Sequence, residues 1–276
     1  NDEVDYTALA QLIEEQIAAG VDGIVAVGTT GESPTLENDD HLAVIKFIID
    51  TVAKRCKVVA GTGANATAEA IHLTKEAAKY GADGSLQVTP YYNKPTQEGL
   101  YQHFKAIAEA TDMPVLLYNV PGRSGIEISI DTVARLSKLP TVTSIKEAAG
   151  SVDRVSQVVQ ACPDLTVLSG DDSLTLPMMS VGAKGVVSVL SNVLPKEITE
   201  LTQLVLAGNY PEALKLHRKY YQLMNDMFVE SNPVPVKEAL ALLGKIEADV
   251  RLPLSQISSD NKEILIQSMK SAGIEL

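Results

Sequence analysis

Seven short runs along the chain are continuously apolar: GIVAVG at 23–28, KVVAG at 57–61, GSLQVT at 84–89, PVLLYN at 114–119, VTSIK at 142–146, TVLSG at 166–170 and GVVSV at 185–189. A strand with one wet face alternates apolar and polar residues. An unbroken run instead marks a strand buried on both faces, as in a parallel sheet. Between the runs, apolar residues recur with a helical period over 39–54, 66–80, 97–110 and 130–138, and the first recognisable element, 6–19, is also a helix. GVD, GAD and GAK stand just ahead of three runs, where glycine can end the preceding helix.

Strands alternating with helices suit either a closed α/β barrel or a doubly wound sheet. No GxGxxG opens a helix and no Walker loop occurs, so the nucleotide-binding sheet lacks its signature. A (β/α)8 barrel is therefore expected over residues 1–208, its remaining strand lying ahead of Asn1. From residue 209 the strand signals stop. NYPEALKLHRKYYQLMNDMF and NPVPVKEALALLGK read as helices broken by a proline loop at 232–235, giving a C-terminal helical domain over 209–276.

Composition narrows the partners. A chain of 276 residues, 45% hydrophobic and 21% charged, suits one large globular domain with a small appendix. Its net charge of −12 argues against nucleic acid and anionic membrane, which both require basic surface. No apolar run approaches the roughly 20 residues that cross a bilayer. Cys56 and Cys162 stand in unrelated surroundings, so no disulfide framework is expected and a reducing cytoplasm fits best. A start at Asn1 rather than Met leaves a removed targeting segment open.

In an α/β barrel the chemistry sits at the C-terminal ends of the strands. There the chain offers GTTGESPT at 28–35, TPYYNKPTQEG at 89–99, YNVPGRSG at 118–125, Lys146, and SGDD at 169–172. Each alone reads as a turn, a packing pair or a surface charge. Together they supply a lysine, a turn whose amides could take a carboxylate, tyrosine hydroxyls and an arginine. An amine desolvated among apolar strands sheds its proton more readily. The neutral amine attacks a ketone to form a Schiff base, and the imine lets the adjoining methyl become an enamine. No histidine stands at these strand ends, so hydroxyls must relay the protons. His41, His72, His103 and His217 are scattered, with no HxH or HExxH, and no metal site is expected. Asp171 and Asp172 read as loop or capping carboxylates.

GTTGES, TPYYNKPTQEGLYQHFKAIAE, LYNVPGR, IKEAAG, LSGDD and NPVPVK resemble the dihydrodipicolinate synthase family, within the pyruvate-dependent class I aldolases, over nearly the whole chain and in order. The resemblance implies condensation of pyruvate with L-aspartate 4-semialdehyde, with no cofactor, in a self-associating enzyme. It implies Lys146 as the Schiff-base lysine and Tyr118 as its proton shuttle. Thr29 links that tyrosine to Tyr92, which the family supplies across a dimer interface. Thr30 matches a residue whose backbone helps hold the pyruvate carboxylate, Arg123 orients the semialdehyde, and Gly170 and Val187, the latter through its backbone, line the pyruvate pocket. L-lysine is an inhibitor in the family; its cleft matches Ser33, Pro34, Asn38, His41, Asn65, Glu69 and Tyr91. Family members open on a strand ending in a VTP-like turn, which is the strand expected ahead of Asn1. Two rival readings remain: another aldolase of the superfamily, acting on N-acetylneuraminate or keto-deoxy-sugar acids, and a paralogue that binds a small acid without turning it over. Arg123 and the second threonine of GTTGE favour the synthase over the first; the filled catalytic positions count against the second.

Overall fold

The computed structural model describes residues 3–276. Helix α1 (Tyr6–Ala18) begins where the Asp5 carboxylate accepts the Ala8 amide, an N-cap that satisfies one of the donors a helix start leaves free. The chain then alternates: β1 (Gly23–Ala26), α2 (Asn38–Val52), β2 (Lys57–Gly61), α3 (Thr67–Tyr80), β3 (Gly84–Val88), α4 (Gln97–Ala108) and β4 (Val115–Asn119). Two helices, α5 (Pro121–Ser124) and α6 (Ile130–Leu136), lead to β5 (Val142–Glu147), followed by α7 (Val152–Ala161), β6 (Thr166–Ser169), α8 (Thr175–Ser180) and α9 (Pro195–Leu206). The last helices are α10 (Tyr210–Asp226), α11 (Val234–Leu242) and α12 (Ser259–Ser271).

Among the described residues six strands pair in parallel in chain order, the curved wall of a (β/α)8 barrel. Alternate side chains point inward, so Val25, Val59, Leu86, Val88, Leu116, Tyr118 and Leu168 meet in one interior cluster. The opposite strand faces pack against the helices. On α2, Leu42, Ile45, Ile48, Ile49 and Val52 are buried at steps of three and four, the stripe of a helix laid on a sheet. Leu223, Met224, Val236, Leu240 and Leu265 from α10 to α12 share one core with the barrel helices.

The seventh run departs from expectation. GVVSV is no ladder strand but a single bridge, Ser169 to Val186, held by Ser169 N–H to the Gly185 carbonyl and Val187 N–H to the Ser169 carbonyl. The cause is Asp172. Its buried carboxylate accepts the Ser188 hydroxyl and the Val189 and Leu190 amides, which turns the chain into a 3-10 turn at Leu190–Asn192. The eighth strand expected ahead of Asn1 lies outside the described residues.

Packing also sets a pH response. His103 on α4 is buried, its Nδ1 2.9 Å from the Thr67 hydroxyl, and burial lowers its pKa to about 4. His41 is lowered too, chiefly by burial. An unfolded chain takes up these protons near 6.5, whereas the native chain takes up that of His103 only near 4. Stability is therefore full above 6.5 and declines as pH falls from 6.5 toward 4. His103 alone should account for about 2 kcal/mol between pH 7 and pH 5. Denaturant midpoints at the two pH values, for the unaltered protein and His103→Gln, should show a smaller fall in the variant.

Candidate active site

Parallel register places the expected residues side by side. Val88 on β3 pairs with Tyr118 on β4, Tyr118 with Lys146 on β5, and Lys146 with Leu168 on β6. Because these positions share one level of the sheet and one face, Tyr118 and Lys146 both point into the barrel. Lys146 is 9% exposed and Tyr118 6%, and the Lys146 Nζ stands 4.2 Å from the centre of the Tyr118 ring. An apolar strand thus ends in an amine held beside a phenol.

Gly170 makes room for that amine. A Cβ built there would lie 2.6 Å from the Ala148 Cβ, closer than real side chains approach, and 3.1 Å from the Lys146 Cε. An alanine would collide with Ala148, and the Lys146 stem would have to give by a few tenths of an ångström. Asp171 follows, with its carboxyl raised by burial and pulled the other way by Lys146. Val187 stands beside Gly170, its backbone N–H donating to the Ser169 carbonyl at 2.9 Å.

The backs of the same strands are locked by buried polar groups. Glu147, one residue past Lys146, points outward and is fully buried. It accepts Asn119 Nδ2 at 2.8 Å, the Ala149 amide at 3.0 Å and Arg154 Nε at 2.8 Å. Asn119, one residue past Tyr118, accepts the Ile128 amide, and Arg154 also donates to the Ile128 carbonyl. Burial pushes the Glu147 carboxyl up, and Arg154 is the largest influence opposing it. The ends of β4 and β5 are pinned together directly behind the two inward side chains. Sequence reasoning missed this cluster, although LYNVPGR and IKEAAG contain Asn119 and Glu147; polar residues directly at the ends of continuous apolar runs were the available signal.

The loop after β1 carries the threonines. Thr29 and Thr30 open a 3-10 turn, Thr29–Gly31, closed by the Gly31 amide to the Gly28 carbonyl. Glu32 follows in the left-handed region (φ 56°), and its carboxylate pairs with Lys237 Nζ at 2.7 Å and accepts the Arg251 amide. The C-terminal helices therefore hold this loop in place. So does Asn232, whose Nδ2 donates to the Thr30 hydroxyl at 3.0 Å and whose carbonyl accepts Arg123 at 3.2 Å. Arg123 itself is exposed on α5, beside Phe228 and Glu230. Asn232 was not singled out by sequence, although NPVPVK contains it.

Tyr92 lies elsewhere. It is 90% exposed, in the left-handed region at φ 70°, and no hydrogen bond joins it to Thr29 or Tyr118 among the described residues. A non-glycine residue in that conformation costs about 1 kcal/mol, and here it directs a phenol away from its own chain.

The seven positions that match the family's inhibitor cleft lie in the segments around α2 and α3 and the loop after β3. Ser33 and Pro34 form the turn Ser33–Thr35, Asn38 starts α2, Glu69 is in the first turn of α3, and Asn65 accepts Asn93 Nδ2 through its carbonyl. Burial and, after it, Glu69 raise the Tyr91 phenol; at His41 burial lowers the imidazole, opposed by the Gly61 carbonyl and then by Glu69. His41 Nε2 faces the Gly61 carbonyl at 2.7 Å and the residue is 3% exposed. Its ring is a buried prop.

Fold and site together define a class: an α/β-barrel lyase with a lysine at the C-terminal end of a central strand. The chain belongs to the dihydrodipicolinate synthetase family, whose sequence profile matches residues 1–272. The 4-hydroxy-tetrahydrodipicolinate synthase of Trichlorobacter lovleyi is 54% identical over 271 residues, 98% of this chain and 93% of that protein. Two solved structures superpose closely. One is the chloride-inhibited dihydrodipicolinate synthase of Acinetobacter baumannii complexed with pyruvate (TM-score 0.97, 48% identity, 99% of this chain and 94% of that one). The other is the Cyanidioschyzon merolae enzyme with lysine bound (TM-score 0.96, 42% identity, 99% and 94%).

Proposed function

We propose that the chain condenses pyruvate with L-aspartate 4-semialdehyde to 4-hydroxy-tetrahydrodipicolinate, on the route to diaminopimelate and lysine. The observation that carries this reading is the pairing of Lys146 with Tyr118 across β4 and β5, above the space that Gly170 leaves. The Lys146 amine attacks the pyruvate ketone carbon, and the ketone oxygen departs as water, leaving the imine. Tyr118 moves protons into and out of that step. A proton then leaves the methyl carbon, and the resulting enamine forms the new carbon–carbon bond to the aldehyde, whose oxygen takes up a proton. The semialdehyde's own amine attacks the imine carbon, closes the ring and releases Lys146.

The carboxylate of pyruvate is assigned to the Thr29–Gly31 turn and Thr30, with Gly170 and Val187 lining the pocket. Arg123 takes the carboxylate of the semialdehyde, as a guanidinium is built to do. Tyr92, turned away from its own barrel, completes the Thr29–Tyr118 relay of a second copy, so the working unit is at least a dimer. The cytoplasm is the compartment that the acidic composition and two cysteines in unrelated surroundings favour; among the described residues no helix is long and apolar enough to cross a membrane. A coupled assay with the two substrates tests the reading: turnover is expected, and its absence with both present overturns it.

L-lysine is proposed to inhibit at the cleft around Glu69. Glu69 is suited to an ammonium group, with Tyr91 and nearby amides for the carboxylate; Ser33, Pro34, Asn38 and Asn65 form its rim and His41 supports it from beneath. Glu69→Ala should weaken inhibition roughly tenfold or more, the value of a charged hydrogen bond, and leave the uninhibited rate unchanged. Lysine titrations of both proteins read this directly.

A further inference from the structure

Asn232 joins two parts of the site that come from distant segments. It lies in the loop between α10 and α11, is 4% exposed, and reaches Thr30 with its side chain and Arg123 with its carbonyl. The direction of the Thr30 bond matters. Asn232 Nδ2 is the donor, so the Thr30 oxygen is the acceptor, and the hydroxyl proton is left to donate elsewhere. The other half of the amide is anomalous, because Asn232 Oδ1 is buried without a partner among the described residues. A buried acceptor left unpaired is costly, and a residue present only for packing would be apolar there. The position retains an amide for what its N–H does to Thr30.

We infer that Asn232 is a positioning residue for the keto acid: by donating to Thr30 it turns the Thr30 O–H toward the pyruvate carboxylate. The inference rests on the pyruvate-condensing reading above. It also separates the two substrates, since the contact to Arg123 is made by the backbone and survives any side-chain replacement.

The test uses the intact protein and reads the pyruvate concentration that half-saturates borohydride-trapped adduct on Lys146, alongside KM for the semialdehyde. Asn232→Ala should raise half-saturation by pyruvate about tenfold, the loss of a well-aimed charge-assisted bond, and leave the semialdehyde KM within about twofold. Asn232→Asp fills the same space but can only accept from Thr30 when ionised. It should impair pyruvate at least as much, which loss of packing alone would not produce. Thr30→Val removes the hydroxyl, and in that background Asn232→Ala should add nothing further. Thermal unfolding of each variant confirms that it is folded. Additive effects in the double variant, or equal damage to both substrates, overturn the inference and leave the reaction assignment standing. No adduct in the unaltered protein overturns both.

Discussion

Lys146→Ala is expected to remove turnover by a factor on the order of 10^4 or more, because no other group can form the covalent intermediate. Borohydride treatment in the presence of pyruvate should add a stable mass to the unaltered protein and nothing to the variant. The fold should survive. Lys146 is 9% exposed and makes no direct ion pair among the described residues; its removal takes a favourable charge from the half-buried Asp171 and the buried Asp172, whose carboxyls would rise further and can answer by taking up a proton. What is lost is the packing of its stem and the contact with Tyr118, together about 1–2 kcal/mol. Lys146→Met keeps most of the stem and should be as inactive while unfolding closer to the unaltered protein. Turnover in either variant within a hundredfold of normal would exclude Lys146 as the nucleophile and leave the fold unexplained as a catalyst.

How much of this was legible beforehand depends on the kind of information each feature needs. The six strands lie where continuous apolar runs occur, since burial on both faces is written in composition alone. The pairing of Tyr118 with Lys146 follows from that register, and motif spacing already pointed to both. The seventh run failed as a strand for a reason no local pattern carries. Asp172, more than a dozen residues upstream, binds Ser188, Val189 and Leu190 and bends the chain. Asn232 was hidden for the same reason, as its partners Thr30 and Arg123 are 202 and 109 residues away in sequence. Tyr92 is the reverse case: its exposure and left-handed backbone have no use within one chain, and the resemblance alone supplied one.

The second large effect concerns stability at the back of the site. Arg154→Ala should destabilise the protein by about 3–5 kcal/mol, a large share of the roughly 5–15 kcal/mol that holds a typical domain folded. The loss comes less from the missing attraction than from what remains. Glu147, fully buried, would keep the Asn119 and Ala149 donors but lose the cation that opposes its desolvation. Its carboxyl, already pushed up by burial, would rise further. A carboxyl with a folded pKa above its unfolded one is least harmful when protonated. Its contribution is favourable below the unfolded value near 4.5 and is lost as pH rises through the folded value. Arg154→Ala should therefore be more damaging at pH 8 than at pH 5, opposite in slope to the His103 effect. Glu147→Gln in the Arg154→Ala background removes the stranded charge while keeping an amide oxygen for Asn119, and should recover much of the loss. Because Glu147 and Asn119 directly follow Lys146 and Tyr118, the single variant should also lower kcat in the protein that remains folded. Urea midpoints at the two pH values decide it. A deficit independent of pH, or one the glutamine does not relieve, would mean that Arg154 acts through packing against Ile128 rather than by neutralising Glu147.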